Sequence, residues 1–233
     1  MPTEKSNPIL GSTSTLVDFA YENMRRDITE EFLPAGTKIN VSLLCERYGV
    51  SPTPIKQALN RLMMEGLVEG ISRKGYRVRR INWREIDELF ELRLMMELYF
   101  VPQATKAVQG NIVIQGKFEK NLKENLTLAR NYTTPEEYFH IYEEDQQFHE
   151  LYILSSGNQA ALRTYKSLNT HTYAAYLFRK QPIPKTVEGI EEHESIYHAM
   201  LAGDEAAVAR FIRVHNQNAR EKIQMTLKLN SMI

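Results

Sequence analysis

Between residues 41 and 81 the chain alternates short regular runs with strong breakers, and this pattern restricts the fold more than any other feature. Val41, Leu44, Cys45 and Tyr48 recur at helical spacing, and Gly49 stops the run. Val50 reads as a buried turn residue. Ser51 is a good N-cap, and Pro52 takes the first helical position, where a missing N–H does no harm. The spacing predicts a helix to about Glu65, with Gly66 at its C′ position. Ile55, Ala58, Leu59 and Leu62 make its inner stripe, while Lys56, Gln57, Asn60 and Arg61 project from other faces. Residues 67–72 and 76–81 then read as a hairpin turning at Arg73-Lys74-Gly75, its second strand alternating apolar and basic residues.

Another helix is expected before this segment. Thr15 and Asp18 have capping-box spacing, Leu16, Ala20, Met24 and Ile28 mark one apolar face, and the run ends before Leu33-Pro34-Ala35-Gly36. Residues 1–12 lack periodicity and read as a flexible arm. Two helices across a glycine turn, followed by a basic hairpin, form the pattern of a winged helix-turn-helix, whose second helix reads base edges. Charge agrees. The chain balances 29 basic against 29 acidic residues, yet 47–80 carries an excess of six positive charges. Such a patch fits a polyanion, although a solvated basic surface has the same composition.

From Trp83 onward every stretch is helix-compatible: about 83–108, 117–131, 135–155, 158–180, 187–202 and 204–230. Breaks are expected at Gly110 and Gly116, Thr133-Thr134-Pro135, Gly157, Pro182-Ile183-Pro184 and Gly203-Asp204, and Pro102 should kink or split the first stretch. The fold class is therefore mainly α: an arm (1–12), a winged helix-turn-helix (13–81) and an all-α helical bundle (82–233). The lone cysteine, Cys45, excludes an internal disulfide and reads as a buried structural thiol. No apolar run approaches the roughly 20 residues of a membrane span, and MPTEKSNPILGSTST lacks the features of a secretory signal. A cytoplasmic protein is expected.

In the helical half, Asp145 and His149 lie four residues apart, hence on one helix face. His193 and His215 sit in later helices. Three imidazoles and a carboxylate suit zinc, nickel, iron or manganese, but spacing does not say that they meet. His140 and His198 read as structural or surface residues, and His171 and the Tyr173, Tyr176, Phe178 cluster as packing.

The residues also carry a family resemblance. Leu33-Pro34-Ala35-Gly36, Tyr48-Gly49-Val50-Ser51-Pro52-Thr53-Pro54-Ile55-Lys56-Gln57-Ala58-Leu59, Glu65-Gly66-Leu67-Val68 and Gly75-Tyr76-Arg77-Val78 resemble the GntR family of bacterial repressors. The resemblance implies contacts to double-stranded operator DNA from Ser51, Thr53, Lys56 and the wing-tip residues Lys74 and Gly75. Gln57 can compensate for missing contacts, and Arg73 joins on charge alone. Two family arginines are replaced by Pro52 and Lys56, which removes one side-chain donor and one bidentate fork. Glu91-Leu92-Arg93, Asp145-x-x-Phe148-His149, Gly157-Asn158, Glu192-His193 and His215 resemble the FCD effector domain of the FadR branch. That resemblance implies a divalent metal, zinc first, on Asp145, His149, His193 and His215. It also implies a small carboxylate effector for which Arg93 is the anion partner, although Arg93 reads equally as an intradomain salt bridge. The implied protein is a homodimeric repressor. A metal-dependent hydrolase-like enzyme and a regulator with a purely structural metal are the alternatives.

Overall fold

The computed structural model describes residues 15–80, 82–170 and 183–229, without the side chains of 135, 136, 183–185 and 229. The readings made for the arm, His171, Tyr173, Tyr176 and Phe178 lie outside the described residues. The chain divides into two compact units, Met1–Ile81 and Asn82–Ile233.

The first unit opens with α1 (Leu16–Thr29), closed at its start by a reciprocal Thr15–Asp18 capping box. Its apolar face is narrower than the spacing suggests. Ala20 and Met24 are fully buried, but Leu16 is exposed and Ile28 half-buried. β1 (Lys38–Ile39) follows, a two-residue strand too short to leave a periodic signal. Asn40 then caps α2 (Val41–Tyr48), accepting from Ser42 N, and Gly49 ends it in the left-handed conformation at φ 68°. Leu44 and Tyr48 are buried. Cys45 is only half-buried, because its side of this short helix lies at the edge of the packed face.

α3 (Pro52–Met64) buries Ile55, Ala58, Leu59 and Leu62 completely and packs on α1 and α2. Ser51 holds the N-cap position but makes no side-chain cap bond. The reason is local. A capping hydroxyl bonds the N–H of the second or third helical residue, and the third here is Pro54. β2 (Val68–Ile71) and β3 (Gly75–Val78) form the wing, with Val68 opposite Val78 and Ile71 opposite Gly75. β3 is central, flanked by β1 and β2, all antiparallel.

The described part of the second unit is helical. α4 (Trp83–Tyr99) and α5 (Val101–Gly110) are separated at Phe100, with Pro102 in the first turn of α5. α6 (Ile112–Asn131) is capped by Asn111 and runs through Gly116 without a break. A helical glycine costs about 1 kcal/mol against alanine, and the cap with buried Phe118, Leu122 and Ala129 outweighs it. α7 (Pro135–Ser155) starts from a Thr134–Glu137 capping box. α8 (Gln159–Ser167) stops early, and Asn169 turns the chain at φ 52°. α9 (Ile183–Ala202) already includes Pro184, where the sequence predicts a break. α10 (Glu205–Leu229) follows the turn at Gly203. α6 packs on α7; α9 packs on α10, α6 and α5; α10 packs on α4. Gly203 turns at φ 74°, a left-handed conformation that favours glycine, and it lies beside the Gln109 side chain of α5.

Candidate metal centre and nucleic-acid interface

Three helices of the second unit bring four ligand groups together. α7 carries Asp145 and His149 one turn apart, α9 carries His193, and α10 carries His215. One ligand atom from each lies within 4.8 Å of all the others. His193 Nε2 stands 3.0 Å from His149 Nε2, 3.3 Å from His215 Nε2 and 3.5 Å from Asp145 Oδ1. All three imidazoles are buried. The Phe148 ring stacks on His193 at 4.2 Å between centroids.

The nitrogen chemistry favours a cation at the centre. Glu97 Oε1 lies 3.0 Å from His149 Nδ1, and Arg93 Nη2 lies 2.7 Å from His149 Nε2. A carboxylate accepts and a guanidinium only donates, so Glu97 favours a proton on Nδ1, and Arg93 Nη2, nearer to Nε2 at 2.7 Å than to Nδ1 at 3.3 Å, favours Nε2 as the acceptor. Glu192 Oε2, 2.7 Å from His215 Nδ1, does the same for the third imidazole. Two acceptor nitrogens and a carboxylate thus face His193 Nε2. At a metal–nitrogen distance of about 2.0–2.1 Å, tetrahedral ligands stand roughly 3.3 Å apart, which matches the three distances from His193 Nε2, in a group whose atoms all lie within 4.8 Å of one another. The donor set fits a divalent metal.

Beyond the four ligands lies a layer of carboxylates. Arg93 Nε is 3.0 Å from Glu97 Oε1, and the Tyr165 hydroxyl donates to the same oxygen at 2.6 Å. Tyr152 donates to the Glu97 carbonyl at 2.9 Å. Burial pushes the Tyr165 phenol well above its ordinary pKa, so it remains a donor. Burial opposes the charge on Arg93, but Tyr165, Glu97 and Asp145 hold its pKa above the usual arginine value. Of the two readings of Arg93, the intradomain ion pair is present, and the guanidinium also touches a ligand imidazole. For Glu192, burial raises the pKa, but His215, Asn218 and Lys222 together draw it below the ordinary range. Asn218 Nδ2 donates to Glu192 Oε1 at 2.6 Å. Sequence reasoning missed Glu97 and Tyr165. Glu97 had one available signal, its position four residues after Arg93. His140 and His198 are both exposed, away from this cluster.

In the first unit, Ser51, Thr53, Lys56 and Gln57 are exposed at the start of α3, and Arg73, Lys74 and Gly75 are exposed at the wing turn. Arg73 adopts φ 57° and Gly75 φ 93°, and Lys74 N–H bonds Ile71 O at 2.9 Å. The basic segment is less available than its composition suggests. Arg47 is paired with buried Asp27 at 2.8 Å, Arg61 with Asp18 at 3.3 Å while stacked on Tyr21, and Arg77 with Glu69 at 3.7 Å. Among the described residues, Lys56, Arg73 and Lys74 have no such partner.

A winged helix with an exposed recognition-helix start, followed by a helical unit with a His/Asp cluster, defines a DNA-binding regulator with a second, helical domain. The comparisons identify the kind. Residues 16–78 match the model of the bacterial regulatory proteins of the gntR family, and residues 88–218 match the FCD domain. The chain belongs to the GntR family of transcriptional regulators with an FCD effector domain. The HTH-type transcriptional repressor GlaR of Escherichia coli is 26% identical over 214 residues, covering 87% of this chain and 93% of that protein. The uncharacterized HTH-type regulator YdhC of Bacillus subtilis is 22% identical over 209 residues, covering 89% and 91%. The structure of E. coli McbR/YncC superposes with a TM-score of 0.67 at 17% identity, covering 94% of this chain and all of that one. A GntR regulator from Rhodococcus sp. RHA1 gives 0.64 at 18% identity, covering 91% and 98%.

Proposed function

We propose that this regulator is a homodimeric repressor whose operator affinity is set by a small carboxylate bound at or beside a divalent metal, zinc first, in the FCD domain. The observation that carries the reading is the convergence of half-buried Asp145 with buried His149, His193 and His215. Arg93 supplies a buried guanidinium 2.7 Å from a ligand nitrogen, the group that recognises a carboxylate in a fork. A metal held there supplies a Lewis-acidic partner for a carboxylate oxygen. Two relatives are named as repressors, GlaR and RspR of E. coli. A winged helix reads one half-site, which favours a symmetric pair of chains on a near-palindrome. Ser51, Thr53, Lys56, Gln57, Arg73, Lys74 and Gly75 are the contact residues. The Ser51 hydroxyl, which caps nothing, and the Thr53 N–H at the start of α3 are suited to a phosphate oxygen.

The test is fluorescence anisotropy on an operator fragment, with the protein zinc-loaded or stripped by chelator, across a panel of hydroxy acids, sugar acids and dicarboxylates. At least one carboxylate should weaken DNA binding by tenfold or more in the zinc-loaded protein and lose that effect on stripping and in Arg93→Met. If metal raises the melting temperature but no carboxylate shifts DNA affinity, the metal is structural and the effector reading fails.

A further inference from the structure

The carboxylates behind the imidazoles carry a role beyond the ligand set. We infer that Glu97 and Glu192 are positioning residues that fix His149 and His215 in the Nδ1-protonated tautomer and so aim their Nε2 lone pairs at a shared divalent cation. The inference rests on the metal reading above and adds two residues to it.

Glu192 Oε2 accepts from His215 Nδ1 at 2.7 Å, and Glu97 Oε1 stands 3.0 Å from His149 Nδ1. Each is itself held from a second side. Glu97 Oε1 also accepts from Arg93 Nε and the Tyr165 hydroxyl, and Glu192 Oε1 accepts from Asn218. A neutral imidazole has one N–H, and the partner of that N–H decides which nitrogen remains to bind a cation. Both Nε2 atoms face His193 Nε2, at 3.0 and 3.3 Å, and a cation bound there would take the His149 lone pair that Arg93 Nη2 holds at 2.7 Å. A carboxylate behind a ligand imidazole also raises its basicity, and removing such a partner costs about 10–100-fold in metal affinity. Glu97 is 1% exposed and also neutralises the buried Arg93 guanidinium. An apolar residue in its place would leave that charge unpaired, so the Glu192 variants carry the test of the positioning role.

Glu192 provides the safer variant, since its side chain keeps about a fifth of its surface in water. The experiment measures Zn2+ affinity by chelator competition in the full-length protein and in Glu192→Gln, Glu192→Ala and Glu97→Gln. The metal-free melting temperature and the visible d–d spectrum of the Co2+ form are recorded for each. Affinity should fall about 10–100-fold in each variant, least in Glu192→Gln, which keeps an acceptor. In Glu192→Gln and Glu192→Ala the Co2+ bands should shift while the metal-free melting temperature stays near wild type. Unchanged zinc affinity and Co2+ bands in both Glu192 variants would overturn the positioning role while leaving the metal site standing. A wild-type protein that binds neither ion would overturn the metal reading and this inference together. Should Glu97→Gln fail to fold, the Glu192 pair decides the question.

Discussion

At the scale of single residues, charge near the recognition helix divides into cations held by the fold and cations left for a partner. Asp27 is 3% exposed and accepts from the Tyr48 hydroxyl at 2.7 Å and Arg47 at 2.8–2.9 Å. Burial and the Asp27 hydrogen bond push the Tyr48 phenol far above its usual pKa, so it stays a donor at any working pH. Tyr48→Phe should therefore cost about 1–2 kcal/mol in denaturant unfolding, because one bond to a charged acceptor is lost while Arg47 keeps Asp27 paired. Asp27→Ala should cost more, roughly 2–3 kcal/mol, because it strands the buried hydroxyl. A full buried-pair penalty of 3–5 kcal/mol does not apply, because half of the Arg47 side chain stays in water. A larger loss for Tyr48→Phe than for Asp27→Ala would refute this division. Composition alone counted Arg47, Arg61 and Arg77 with Lys56, Arg73 and Lys74. Asp27 and Asp18, which hold two of them, lie outside the basic segment, so only the fold reveals the pairs.

At the scale of elements, the boundaries that were legible are those written in cap residues. Thr15, Gly49 and Thr134 each make a strong local choice, and the helices start or stop at them. Where the decision rests on packing, periodicity failed. Gly116 lies within α6 because the buried stripe beyond it outweighs its propensity, and β1 exists only because β3 offers it an edge. The four metal-centre candidates were legible as residue types, and Asp145 with His149 as a shared face. Their meeting with His193 and His215 depends on how α7, α9 and α10 pack, which spacing does not encode. The α7 cap gives a test with a worked sign. The Thr133 backbone N–H, the Thr133 hydroxyl and the Thr134 N–H all donate to the Glu137 carboxylate, and they hold its pKa below the ordinary glutamate value. A depressed carboxylate stabilises the fold above its unfolded pKa and loses that contribution as pH falls through the folded value. Glu137→Gln should melt below wild type at pH 7, and the gap should shrink as pH falls below the ordinary glutamate range. A gap independent of pH would mean that the side chain acts through packing. Thr134→Ala should cost about 1 kcal/mol at neutral pH.

At the scale of the whole molecule, a chain with zero formal net charge binds a polyanion only if its cations are unequally committed. That inequality predicts how DNA affinity responds to salt. Each phosphate neutralised contributes about −0.9 to the slope of log K against log salt concentration. Lys56 and Lys74 are exposed and have no ion-pair partner among the described residues, whereas Arg47 spends its guanidinium on Asp27. In anisotropy titrations on an operator fragment, Lys56→Ala and Lys74→Ala should each flatten the slope by about 0.9 per half-site, or about 1.8 for a dimer. Arg47→Ala should leave it unchanged, although it lowers stability. Lys56, at the start of α3, should in addition alter which base is preferred, because an ammonium reads a guanine edge without the fork that an arginine provides. Lys74, on the wing, should weaken all fragments alike. If Arg47→Ala flattens the slope as much as the lysine variants do, the distinction between structural and available cations is wrong, and the DNA-facing surface must extend to the α2 face that carries Arg47.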